Sequence, residues 1–156
     1  MAQKQPIRVV NLAEFKKQLS QCSAAARGEA LLDTVEAGAR VIETYAKINV
    51  EKTFSNKSTG GLAGSIMVTV KGGANKAEAE IGPTKIYGRI QELGGVIKPV
   101  TAKLLHWVEE GQDIFARVVH IPARPYLRPA VDEHIDDIRE AMATTLMRKI
   151  AQAVGR

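Results

Sequence analysis

The sequence is poor in the residues that most often signal a covalent framework or a stacking surface. It contains one cysteine, Cys22, so no internal disulfide can form. Cys22 falls on an apolar helical stripe, which favours a small core residue over a reactive thiol. Aromatic residues make up 4% of the chain, so we expect an aliphatic core and too few rings for base stacking.

Long apolar runs are also missing. No stretch approaches the ~20 apolar residues that a membrane span needs, and the polar start Met-Ala-Gln-Lys-Gln lacks the apolar segment of a secretion signal. We therefore expect no membrane partner and folding in a reducing cytoplasm. The length of 156 residues suits a single domain, 1–156.

Catalytic and metal-binding patterns do not emerge either. The histidines are too scattered for a zinc motif, and the serines lack a recognisable histidine and acid partner. In the glycine-rich stretch 55–65, no lysine follows the glycines at the position that a phosphate loop requires. The densest group of potential ligands suits the positive end of a helix and needs no metal: Asp132, Glu133, His134, Asp136 and Asp137. We predict no catalytic, cofactor-binding or metal residues, and no enzyme.

The charge balance is mildly basic. Lysine and arginine number 22 against 17 acids, which gives a net charge of +5 and a pI near 9.4. This permits contact with nucleic acid or acidic surfaces without requiring it. A regulatory or sequence-independent nucleic-acid-binding protein is therefore one function to weigh.

The first third of the chain has helical periodicity. Asn11 and Glu14 form a capping-box pattern, and a helical region is expected over about 12–54, with a possible bend at Arg27-Gly28. Gly38 more naturally marks close helix packing than a helix end. The second half of this region has one apolar face: Leu32, Val35, Ala39, Ile42, Ala46 and Val50.

The middle of the chain, about 62–121, favours strands. Alternation predicts a hairpin from 65–71 and 76–81, followed by a short helix that stops at Gly94-Gly95. Three short apolar runs then cover 96–100, 104–108 and 114–121, and the last two are expected to pair as a second hairpin. Trp107 lies in the second of these runs as a core or interface anchor.

A proline arm, 122–129, follows the strands. Prolines at 122, 125 and 129 keep it extended, and Pro129 suits the first turn of a helix. Tyr126 and Leu127 are its apolar anchors, while Arg124 and Arg128 either pair with acids such as Asp132 or bind a neighbouring subunit's carboxylates. A long C-terminal helix is expected over about 129–154, spanning ~35 to 40 Å.

These elements predict an α+β fold: a long N-terminal helical region, a small and mostly antiparallel sheet of two hairpins with a short helix between them, and a long C-terminal helix. Three stretches, in this order, resemble the tail-component or tail-completion proteins of long-tailed phages. They are Thr-Gly-Gly-Leu-Ala-Gly-Ser-Ile at 59–66, Tyr-Gly-Arg-Ile-Gln-Glu-Leu-Gly-Gly at 87–95, and Pro-Ala-Arg-Pro-Tyr-Leu-Arg-Pro-Ala at 122–130. The second stretch is also similar to virion morphogenesis proteins of Mu-like phages. The third is the most specific of the three.

The resemblance implies a structural virion protein at the neck or tail end, assembled in the bacterial host cytoplasm and active in tail completion or head-tail joining. Its partners would be further copies in a homo-oligomeric ring, six being one candidate number, together with other neck or tail proteins and passing DNA without sequence preference. No cofactor is implied. We expect the subunit contacts at Trp107, Arg124, Pro125, Tyr126, Leu127 and Arg128.

Overall fold

A computed structural model describes residues 24–54, 60–73 and 75–154. The Asn11 capping box and the apolar stripe through Cys22 lie outside the described residues. Five helices are present in the described part of the chain: α1 (Ala24–Thr53), α2 (Gly60–Ala63), α3 (Ile86–Leu93), α4 (Leu127–Asp132) and α5 (Ile135–Val154).

The strands form three antiparallel pairs in the described residues. They are β1 (Ile66–Gly73), β2 (Lys76–Pro83), β3 (Gly95–Ile97), β4 (Leu105–Glu109), β5 (Gln112–Ala116) and β6 (Val119–Ile121). β1 pairs with β2, β3 with β6, and β4 with β5. The α+β class is confirmed, with two long helices and small antiparallel sheets.

Helix α1 is continuous through Gly28, so Arg27-Gly28 does not interrupt it. Two four-residue ion pairs lie along it, from Glu36 to Arg40 and from Glu43 to Lys47. The prediction that Gly38 marks close packing is confirmed, because a Cβ there would lie 2.8 Å from Cγ of Met142 on α5. α1 is thus the element on which α5 and the β1–β2 hairpin pack.

The β1–β2 hairpin follows the predicted alternation. Val68 faces Ile81 and Val70 faces Ala79 across the pair, and these side chains are half-buried on the hairpin that packs on α1, whereas Met67, Thr69, Glu78 and Glu80 are exposed. Both strands run about two residues further than their alternation indicated, to Gly73 and Pro83. The extra pairs add backbone hydrogen bonds that a side-chain pattern does not reveal.

The second predicted hairpin is present as β4–β5, but the apolar run 114–121 is divided between two strands. β5 ends at Ala116, and β6 pairs instead with β3, far back in the sequence. The third pair was not predicted. Its partner lies more than twenty residues away, and alternation within a strand cannot identify a distant partner.

The C-terminal helix is broken, which corrects the expectation of one helix over about 129–154. α4 begins at Leu127, two residues before Pro129, and α5 begins at Ile135. At the break, the His134 ring stacks on Tyr45 with a centroid separation of 3.3 Å, and the Tyr45 hydroxyl donates to Asp137 over 2.7 Å. These contacts hold α5 against α1, and its 20 residues span ~30 Å.

The hydrophobic core lies where α1, α2, β1 and α4 meet. Tyr126, just before α4, is its largest fully buried side chain. The remaining members are small or aliphatic, as the low aromatic content predicted: Ala46, Val50, Leu62, Ala63, Ile66 and Ala130. Two of the three stretches that carry the family resemblance therefore contribute directly to one core.

Candidate functional site: the arm junction

The proline arm is fixed to α3 by one carboxylate. Glu92, in the last turn of α3, accepts hydrogen bonds from the backbone N–H groups of Tyr126, Leu127 and Arg128 at 2.7, 2.9 and 3.0 Å. These donors belong to the start of α4, where N–H groups have no partner within the helix and a negative charge is favourable. We call residues 85–94 and 122–130, held together in this way, the arm junction.

Tyr126 anchors the junction from inside. Its side chain is fully buried, and its hydroxyl donates to the carbonyl oxygen of Gly88 over 3.2 Å. Burial, reinforced by the nearby Glu92 charge, raises the pKa of Tyr126 to about 12. The Asn49 side-chain amide donates to the Tyr126 carbonyl oxygen over 3.1 Å. The arm is thereby tied to α1 as well as to α3.

Two glycines allow this close approach. A Cβ on Gly88 would lie 2.6 Å from Cβ of Pro83 and 3.1 Å from the Tyr126 hydroxyl oxygen. Gly94 ends α3 with φ +69, a region that side chains rarely adopt. Next to it, the Arg124 backbone N–H donates to the Gln91 carbonyl oxygen over 2.7 Å. Close contact and backbone conformation explain glycine at both positions.

The outer surface of the junction is apolar and cationic. Ile86 and Leu93 are 97% and 65% exposed, although they lie on one face of α3, two turns apart. Both side chains line an open cleft of about 430 Å³, together with Lys85 and Arg89.

The predicted contact residues are distributed between two regions. Trp107 is partly buried on the β4–β5 hairpin, opposite Ile114. The arm residues are at the junction, where the Arg124 guanidinium lies 5.7 Å from the centroid of the Phe54 ring and Arg128 pairs with Asp132 over 3.4 Å.

One of the predicted subunit-contact residues is buried, which corrects that prediction. Tyr126 is enclosed by its own chain and presents no surface to a neighbour. Leu127 is partly buried beside it, whereas Pro125, Arg124 and Arg128 are exposed. The arm therefore divides into an inner part that holds the fold and an outer part that faces solvent.

Sequence reasoning did not single out Glu92. One signal could have found it, because Glu92 is the only acidic residue between Glu80 and Glu109. An isolated carboxylate near a helix end, followed by an arm rich in backbone donors, suggests a structural acceptor. Its partners could not be identified without the tertiary structure, since more than thirty residues separate them.

Within the described ranges, no group of three or more histidine, cysteine or acidic side chains is placed to hold a metal ion. None of the helices in those ranges combines the length and the apolar character required to cross a bilayer. The junction itself contains a carboxylate engaged by backbone amides and a buried phenol. Its exposed side chains are mainly aliphatic and cationic, and they include the Tyr87 ring.

The arm junction is thus closely packed inside, with an apolar and cationic exterior. Residues 13–94 match the model of the family described as "Bacteriophage HK97-gp10, putative tail-component". The chain belongs to this family, which indicates a structural component of the phage tail and a place in the virion. Comparison with curated proteins and with solved structures gave no significant match.

The matched range includes two of the three stretches that suggested the family, up to Gly94. It ends before the proline arm, which the sequence suggested as the most specific stretch. The structure nevertheless joins the two regions, since Glu92 inside the match binds the arm outside it.

Proposed function

We propose that this protein completes the tail or joins it to the head, and that it does so by assembling as a ring at the neck and not by catalysis. The observation that carries the proposal is that Ile86 and Leu93 are exposed on α3, a helix that is held to the arm by the hydrogen bonds of Glu92. Aliphatic side chains held rigidly in solvent mark a surface that another protein covers. Rigidity lowers the entropic cost of forming that contact.

A closed ring needs two different surfaces that meet head to tail. The arm junction supplies one candidate surface. Further exposed apolar residues lie elsewhere on the chain, among them Val100, Val108 and Phe115. Partners under this proposal are other copies of the chain and the neighbouring neck or tail proteins.

The experiment uses the purified protein and virions from a producing host. Negative-stain images of concentrated protein, or of protein added to tails isolated from a strain lacking it, should show rings. Deletion of the reading frame should leave heads and tails unjoined, and the protein supplied in trans should join them. Normal virions from the deletion strain would overturn the proposal.

Contact with DNA is a second candidate, favoured by one observation. Two stretches of the strand region, 93–108 and 114–131, contain no acidic residue. They carry five cations: Lys98, Lys103, Arg117, Arg124 and Arg128. All five are exposed, and exposed cations bind phosphates without sequence preference. A gel shift that weakens steeply with salt and is equal for unrelated duplexes would support it, whereas selective binding of one sequence would instead indicate a regulator.

A further inference from the structure

The β4–β5 hairpin has an apolar surface that the described part of the chain leaves open. Val108 and Phe115 lie diagonally on one face and are 62% and 61% exposed. On the same face His106 stacks on Phe115 and lies 2.6 Å from Asp113. A two-stranded hairpin is marginally stable by itself in water, so a projecting hairpin gains stability when a partner covers it.

The cleft of the arm junction is open in the same way. Ile86 is almost fully exposed there, so the hairpin does not cover α3 within its own chain. Neither Lys85 nor Arg89, which flank the cleft, forms an ion pair with another described residue. Arg128 lies close by, since its backbone N–H binds Glu92.

The hairpin and the cleft also carry opposite charges. The hairpin tip carries Glu110 in its turn, where φ is 51, and Asp113 on the exposed face. The cleft is flanked by cations and its one acid, Glu92, is engaged by backbone amides. An acidic tip with apolar residues behind it therefore fits a cationic rim with apolar residues within it.

We propose that the β4–β5 hairpin of one copy docks in the arm-junction cleft of the next copy, with Val108 and Phe115 against Ile86 and Leu93 and with Glu110 beside Arg89. This inference rests on the proposed ring and names the surfaces that form it. Because the two surfaces differ, the contact repeats head to tail, and it closes only if the rotation between subunits allows a ring.

Cross-linking tests the contact directly. In a Cys22→Ser background, Thr84→Cys places a thiol at the cleft and Gln112→Cys places one at the hairpin, and neither change removes a proposed contact. A short bis-maleimide should link the two single variants to each other when mixed, and neither to itself. The chain carrying both cysteines should give a ladder of oligomers. Glu140→Cys on α5, mixed with Gln112→Cys, is the matched control and should give no product.

Charge reversal tests the register. Glu110→Lys and Arg89→Glu should each lower cross-linking roughly tenfold at equal concentration, because like charges then meet. The two changes together should restore it. Glu140→Lys, an exposed reversal on α5, should have no effect.

The outcomes separate this inference from the proposed function. Self-linking of Thr84→Cys would indicate a two-fold contact and would overturn the head-to-tail assignment. Rings or joined virions without the 84–112 link, or a link from position 84 to a different virion protein, would overturn the docking and leave the ring proposal standing. Joined virions formed without this chain would remove the proposed function itself.

Discussion

Glu92 shows how one side chain determines the geometry of a surface. Its carboxylate is divided between three backbone donors, with one oxygen accepting from two of them. Hydrogen bonds to a charged acceptor are stronger than neutral ones. Because the N–H groups of Tyr126, Leu127 and Arg128 all bind this one carboxylate, the arm depends on it for the start of α4.

Glu92→Gln should therefore destabilise the protein. The amide keeps one acceptor but turns a donor towards backbone N–H groups, so at least one donor loses its partner at a cost of about 1.5–3 kcal/mol. The urea midpoint should fall. Glu80→Gln, an exposed glutamate whose side chain is 82% accessible, serves as the control and should shift it little. Equal midpoints for both variants would contradict the role of Glu92.

A second residue-scale prediction concerns pH. The Lys47 hydrogen bond, with a further contribution from Arg40, lowers the pKa of Glu43 against the opposing effect of burial. A lowered native pKa means that the unfolded chain binds the proton more tightly. The resulting stability is present above the ordinary value of 4.5 and is lost as pH falls through the lower native value.

The measurement is the urea midpoint between pH 7 and pH 3 for the natural chain and for Glu43→Gln. The difference between the two should be constant above about pH 5 and should shrink at lower pH, since only the natural chain then loses this interaction. A difference that stays constant down to pH 3 would show that folding does not lower the pKa of Glu43.

At the scale of elements, the contact between α1 and α5 organises the fold. Gly38 lets Met142 approach α1, and Lys149 on α5 pairs with Glu29 over 3.0 Å and with Asp33. These acids raise the pKa of Lys149. The helices are thus joined by one close apolar contact and by an ion-pair cluster farther along.

Gly38→Leu should separate the helices and cost ~1–3 kcal/mol, because the added atoms overlap Met142. Removing that obstacle with Met142→Ala should recover part of the loss, so the double variant should be more stable than the sum of the single effects by ~0.5–3 kcal/mol. Thermal unfolding of the four chains measures this coupling. Ala143→Leu, an exposed site on α5, controls for added leucine, and strictly additive effects would rule out the packing contact.

At the scale of the whole molecule, the inner residues of the arm stabilise the fold, whereas its outer residues are available for assembly. Tyr126 and Ala130 are buried in the core, whereas Arg124 and Arg128 extend outwards. The Arg128–Asp132 pair is solvent-exposed and adds little to stability. Substitution of the outer residues should therefore affect association more than folding.

Arg124→Ala combined with Arg128→Ala should leave a folded monomer, with a thermal midpoint close to that of the natural chain, and should weaken assembly. Light scattering across a concentration series measures the association. Lys52→Ala plus Arg148→Ala, two exposed cations on α1 and α5, provides the matched loss of charge. An unchanged oligomer in the arm variant would exclude the arginines from the subunit contact.

Local patterns were sufficient for most of the elements. Apolar spacing predicted α1 to within a residue of its end, alternation predicted the β1–β2 hairpin, and Gly94 marked the end of α3. These features depend on neighbours within a few positions, where side-chain period and backbone preference act directly. The same logic did not predict the helix break at His134, whose ring stacks on Tyr45, nearly ninety residues earlier.

By itself, the sequence determined the α+β class and the family resemblance, since composition, period and motif order are properties of the chain. Only the tertiary structure decided what the arm does. It placed Tyr126 inside, bound the start of α4 to Glu92, and left Ile86 and Leu93 in solvent. The physical reason is distance along the chain: a carboxylate meets donors more than thirty residues away only after the core has formed, and exposure depends on every element around a side chain.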